Sequence, residues 1–151
     1  MGIRRQAREA AVQALYMCDI SSDWTPEQAN SFFVYFPVPE LVQSYAARLC
    51  AGVLEEKTQI DSYLTCASEN WSISRMSRVD RSILRMAAYE IICLGDIPNS
   101  VAINEAIELA KCFASDESST FVNGVLDKVA STAEGDAKGG ETYGAEKRMI
   151  A

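Results

Sequence analysis

The sequence contains no histidine. That removes the commonest general base, the commonest metal ligand and every Ser-His or Cys-His nucleophile pair. Its five cysteines (Cys18, Cys50, Cys66, Cys93 and Cys112) are an odd number without a Cys-x-x-Cys spacing. Most fall among apolar neighbours, where a thiol behaves as a small hydrophobe, so a reducing cytoplasm is expected. No apolar run approaches the ~20 residues that a membrane span needs. The opening MGIRRQAREAA lacks the apolar stretch of a signal peptide, so export is not expected. Gly-rich phosphate loops are missing too, as is any strand-like alternation. These absences leave a protein without catalysis, metal or cofactor as the expectation.

What is present reads as one helical domain. At 151 residues, with 48% hydrophobic and 23% charged residues, the chain can bury a core of its own. The first helix is predicted over Ile3 to Ile20, with Ala7, Ala11, Leu15 and Cys18 on its apolar stripe. Ser21 to Pro39 reads as a connection with an aromatic knot of Phe32, Phe33, Tyr35 and Phe36 packed beneath it. A long helical region follows Pro39 from Glu40 to about Ala67, with a break expected between Lys57 and Asp61. The next helix opens at Ser77, capped with Asp80 three residues on, and ends before Gly95 as a C-cap. Two amphipathic helices then occupy Val101 to Lys128 around a polar joint, with Ser115, Asp116 and Ser118 as capping residues. Gly124 inside the second of them predicts a closely crossing helix. After Ala130 the composition becomes Gly-rich and charged, so residues 131–151 are expected to be a disordered tail beyond a domain of residues 1–130. The fold class is all-α, a compact bundle of six or seven helices.

A net charge of −7 argues against a nucleic-acid partner, but its distribution is uneven. Arg4, Arg5 and Arg8 occur with no acid before Glu9, and Arg75, Arg78, Arg81 and Arg85 surround only Asp80. A basic first turn opposes the helix dipole, which points to a ligand outside the helix. A solubilising N-terminal turn is an equal reading of the same pattern. In the second cluster internal ion pairs are favoured over an RNA patch, with Glu90, on the apolar side of its helix, as a buried partner of one of those arginines. Periodicity alone places Phe121 in the core beside Val122 and Val125.

RRQAREAAVQALY, SRMSRVDRSILRMAAYE, and DIPNSVAINEAIELAK followed by FVNGVLDK together resemble the NusB family of transcription antitermination factors. In order and spacing these segments cover nearly all of residues 3 to 130. The resemblance implies an all-helical, non-catalytic protein. Its partners would be boxA-type single-stranded RNA of ribosomal RNA transcripts and the small-subunit ribosomal protein NusE, acting within an antitermination complex on RNA polymerase. It places RNA binding on Arg4, Arg5 and Arg8 and, at the last helix, on Glu117, Thr120 and Phe121; Tyr16 and Asp80 match positions facing the ribosomal protein. Gln6 stands where many members carry another arginine. A protein-only adaptor on the same scaffold is the alternative, and homodimerisation over the same surface is open. An enzymatic reading, after the methyltransferases that carry this helical domain at their front, is disfavoured by the missing cofactor loop, histidine and cysteine pair.

Overall fold

The structure is a computed structural model and describes residues 2–69 and 71–139. Among the described residues it is built of six α-helices and no strand: α1 (Ile3–Ser21), α2 (Pro26–Tyr35), α3 (Glu40–Ala67), α4 (Arg78–Cys93), α5 (Asn99–Phe113) and α6 (Asp116–Gly139). A short 3-10 turn, Ile73–Arg75, precedes α4.

Local chemistry explains the boundaries. Ser22 closes α1 in the left-handed region (φ 53°), returning its N–H to the Asp19 carbonyl. The expected connection from Ser21 to Pro39 contains a helix instead. Thr25 accepts the Gln28 N–H on its hydroxyl at 3.2 Å, and Pro26 takes the first helical position, where a missing N–H costs nothing. Of its aromatic knot, Phe32 and Phe33 are buried, whereas Tyr35 and Phe36 are exposed. The break expected between Lys57 and Asp61 is absent: α3 runs unbroken, with Ile60 and Leu64 buried on either side of Asp61. Ser77 caps α4 as expected, accepting from the Asp80 N–H at 3.1 Å. Gly95 is not its C-cap, because Leu94 ends the helix in an extended conformation. Ser115 accepts the Ser118 N–H at 3.1 Å and starts α6. That helix continues past Ala130 to Gly139, where Asp136 accepts the Tyr63 hydroxyl at 2.6 Å. The remainder of the expected tail, 140–151, lies outside the described residues.

Helix α4 is central, packing against α1, α3, α5 and α6. Seven consecutive residues of it, Ser82 to Ala88, are buried. Leu15, Leu49, Leu64, Ile83, Met86 and Leu126 fill the interior. Small residues set how closely the axes approach. Ala7, Ala10, Ala11 and Ala14 are buried along α1. At Gly52 of α3 a Cβ would overlap the Tyr89 ring of α4. The close crossing expected at Gly124 is not there, since a Cβ at that position meets nothing; the crossing glycine is Gly52.

Two of the four arginines in the second cluster, Arg81 and Arg85, form internal ion pairs as expected, while Arg75 and Arg78 are exposed, and Glu90 is paired differently. Arg81 bridges to Asp19 at 2.8 and 3.0 Å, and Arg85 to Asp61 at 2.9 and 3.1 Å. Glu90 takes its arginine from α1: Arg8 donates to both carboxylate oxygens at 2.8 to 3.1 Å, and Tyr45 of α3 donates at 2.8 Å. The alanine-lined face of α1 brings Arg8 inside, whereas Arg81 and Arg85 reach acids on α1 and α3.

Gly52→Ala will lower the urea midpoint despite its better helix propensity, because the Tyr89 ring has to move. Gly124→Ala, in open space, will raise stability by up to about 1 kcal/mol. Burial, aided by neighbouring negative charge, pushes the Cys18 thiol from 9.0 up to about 11 and the Cys50 thiol to about 12. Burial, and then Glu90, raise the Tyr45 phenol to about 12. The unfolded chain therefore releases these protons first. Their contribution is complete below pH 9.0 and declines up to about 12, so urea midpoints will fall across that alkaline window.

Candidate functional site

The candidate residues fall at two ends of the bundle. At one end, the first turn of α1 has no acidic residue and no side-chain cap. Its arginines have separate fates. Arg4 is exposed and lies over the Tyr45 ring at 5.0 Å. Arg5 is half-exposed and holds Glu105 of α5 at 3.0 and 3.2 Å. That hydrogen bond, followed by the carboxylate charge, raises the Arg5 pKa. Arg8 is 3% exposed, and its Nε and Nη2 both donate to Glu90. Burial works against its charge, yet the Glu90 hydrogen bonds and charge outweigh that and raise its pKa.

Of the three arginines expected to contact RNA, Arg8 is buried: a guanidinium held on a fully buried carboxylate is a structural cross-link. Arg4 and Arg5 are the two that this turn exposes. Tyr45 and Glu105, which hold them, carry no signal in the sequence beyond ordinary helix positions.

At the other end, the start of α4, the 3-10 turn and the α5–α6 joint enclose a cleft of about 330 Å³. Trp71, Arg75, Asp80, Glu117 and Phe121 line it. Phe121 is half-buried: it packs against the core and also lines the cleft. Asp80 accepts from the Ser118 hydroxyl on one oxygen at 3.4 Å, while its other oxygen, Oδ1, is buried with no partner among the described residues. Trp71 and Phe121 also line a second cleft of about 270 Å³ with Ser68, Thr120 and Lys128. Thr120 is exposed and turns its hydroxyl back to the Asp116 carbonyl at 3.2 Å.

Tyr16 lies in a third, apolar depression of about 370 Å³ with Val12, Phe32, Phe36, Val79 and Phe113. Val79 precedes Asp80 on α4, so this groove and the Asp80 cleft adjoin across one turn of helix. The structure thus brings Asp80, Glu117 and Phe121 into one cleft, Thr120 beside it and Tyr16 next door. Arg5 and Tyr16 are separated along α1 by about 16 Å at 1.5 Å per residue, so the arginines form a separate station. Trp71, Ser68 and Lys128 were not singled out by sequence reasoning, and Arg75 only as a member of the cluster expected to form internal ion pairs. A tryptophan 52% exposed is an unusual use of that residue, but exposure is not visible in a string of letters.

The NusB family matches residues 5–131. A transcription antitermination protein NusB of Geobacter sulfurreducens is 48% identical over 143 residues, covering 87% of this chain and 96% of that protein. One from Desulfitobacterium hafniense is 44% identical, with 92% and 96% covered. Among solved structures, Thermotoga maritima NusB superposes with a TM-score of 0.75 at 34% identity, covering 85% of this chain and 90% of that one. A chain from a crystal structure of antitermination factors NusB and NusE in complex with double-stranded RNA superposes at 0.77, with 25% identity and 86% and 97% covered.

Arg8→Ala will cost about 3–5 kcal/mol in urea unfolding, because it strands a buried carboxylate. Arg4→Ala will leave the urea midpoint close to wild type, since Arg4 is exposed and its ring contact is a surface one.

Proposed function

The chain belongs to the NusB family, and on that premise we propose that it is a transcription antitermination factor. It binds boxA-type single-stranded RNA of ribosomal RNA transcripts together with the ribosomal protein NusE, within a complex that lets RNA polymerase read through terminators. The observation that supports this most is the likeness, over 86% of the chain, to a NusB solved with NusE and RNA. The reading is of a cytoplasmic binding protein whose action needs no catalysis.

In this reading Arg4 and Arg5 hold phosphates, Arg5 exchanging its exposed Glu105 partner for one, and Phe121 supplies a ring for an unstacked base. Glu117 and Thr120 border that ring, and Tyr16 and Asp80 face NusE. Arg8 acts indirectly, by fixing the turn that carries Arg4 and Arg5. Two accessible arginines on a chain of net charge −7 give weak RNA binding alone. A basic ribosomal protein on the acidic body offsets this.

One observation favours the protein-only alternative: Arg5 and Arg8 both hold carboxylates of this chain. The two readings separate in fluorescence anisotropy with a labelled boxA-type RNA, with and without NusE, across a salt series. Added NusE is expected to tighten binding. Arg4→Ala combined with Arg5→Ala is expected to weaken it and to flatten the logarithmic salt slope by about 1.4, at ~0.7 per phosphate contact on a single strand. RNA affinity indifferent to both changes, with NusE still bound, would establish the adaptor instead.

A further inference from the structure

The first turn of α1 sets out two accessible arginines, and they are not equivalent. Arg5 commits two of its N–H groups to Glu105, at 3.0 and 3.2 Å. Arg4 makes no hydrogen bond or ion pair among the described residues; its guanidinium carbon lies 5.0 Å from the centre of the Tyr45 ring. A ring face attracts a guanidinium as a whole cation and takes up none of its N–H donors, whereas a carboxylate holds it by occupying them. The ring itself is fixed. Its hydroxyl donates at 2.8 Å to Glu90, which is fully buried, and its body packs against the core. Arg8, on the same carboxylate, lies 5.9 Å from the ring centre. One anchored tyrosine thus joins the buried cross-link to the exposed cation one helical turn before it.

We propose that Tyr45 is a positioning residue for RNA binding: its ring presents Arg4 to a phosphate as a pre-set cation with its donors open. Arg4 is then the leading arginine of the turn and Arg5 the auxiliary one. This rests on the antitermination reading and deepens it by ranking the two arginines and naming the residue that ranks them. A long side chain loses rotamer freedom when a ligand fixes it, and one already held in place loses less on binding. With the anchored ring beneath it, Arg4 has given up part of that freedom before RNA arrives. Arg5 is ordered as well, but a phosphate has to displace Glu105 to reach its fork. The displaced carboxylate then stays nearby, and Glu108 and Glu9 add further negative charge around Arg5. No carboxylate of the described residues contacts Arg4, so a phosphate meets it without that competition.

The test uses the full chain with NusE and a labelled boxA-type RNA, read by fluorescence anisotropy across a salt series. Arg4→Ala is expected to weaken binding more than Arg5→Ala and to flatten the logarithmic salt slope by about 0.7. Tyr45→Leu, which keeps both arginines and loses the ring, is expected to weaken binding about threefold. Tyr45→Phe keeps the ring, loses only the hydroxyl, and is expected to stay within about twofold of wild type. In an Arg4→Ala background Tyr45→Leu is expected to add nothing, because the ring then has no cation to present. In the free protein, the ring current of Tyr45 is expected to move the Arg4 side-chain proton resonances upfield, a measurement that needs no variant. The proposal is overturned if Tyr45→Leu binds RNA as wild type does, or weakens binding equally with and without Arg4. It is overturned equally if Tyr45→Phe loses as much as Tyr45→Leu, or if the Arg4 resonances stand at their ordinary positions. A Tyr45 variant that also loses NusE affinity has a damaged fold; the Arg4 resonances and the order of the two arginine variants then decide, and a larger loss in Arg5→Ala overturns the proposal. Failure of the RNA to bind with NusE present sinks the antitermination reading itself, a result distinct from RNA that binds and is indifferent to Tyr45.

Discussion

The buried contact of Arg8 with Glu90 and Tyr45 is the constraint on which the arrangement of this bundle turns. It joins α1, α3 and α4 at one point in the core. A hydrophobic contact tolerates sliding by a fraction of a helical turn, but a forked guanidinium on a carboxylate does not. The network therefore fixes the rotation of α1 about its own axis. With Arg8 turned inward, Arg4 one turn earlier lies over the same tyrosine ring and Arg5 swings towards α5. A buried pair of this kind is weak evidence for net stability; its value here lies in orientation, since the exposed turn inherits its direction from the buried one.

The sequence carried much of this fold in its periodicities. The stripes of α1, α4, α5 and α6, and the Ser77 and Ser115 caps, depend on neighbours within a few residues and so can be read locally. What could not be read locally came out differently. Glu90 and Arg8 are far apart in the chain, and nothing in either neighbourhood selects one over Arg81 or Arg85. Gly52 and Gly124 look alike as helical glycines, yet only Gly52 faces a crossing ring, because facing is a property of the partner helix. Helix α2 was hidden by its prolines and polar start, which serve as a cap there. The site followed the same division: Phe121 and Asp80 were legible through the family pattern, whereas Trp71 and Arg75 joined them only through the turn before α4.

Charge is distributed so that the acidic balance and the basic residues seldom compete. Three arginines, Arg8, Arg81 and Arg85, are neutralised within the structure by Glu90, Asp19 and Asp61. Pairing them leaves the net charge unchanged while removing strong local fields. Three exposed cations, Arg4, Arg75 and Lys128 (the last beside Glu69), lie near the aromatic rings Tyr45, Trp71 and Phe121. A cation next to an exposed ring serves a single-stranded polyanion better than either does alone, since stacking and phosphate contact then fall within one nucleotide of each other.

Arg81 gives this design a mechanical aspect. Its guanidinium spans Asp19, near the end of α1, and the carbonyls of Ile73, Ser74 and Met76. The turn bearing Arg75 and following Trp71 is thus strapped to the same stretch of α1 that presents Tyr16. A single arginine ties the turn that borders the cleft to the end of the helix that borders the groove, so the two depressions share one support.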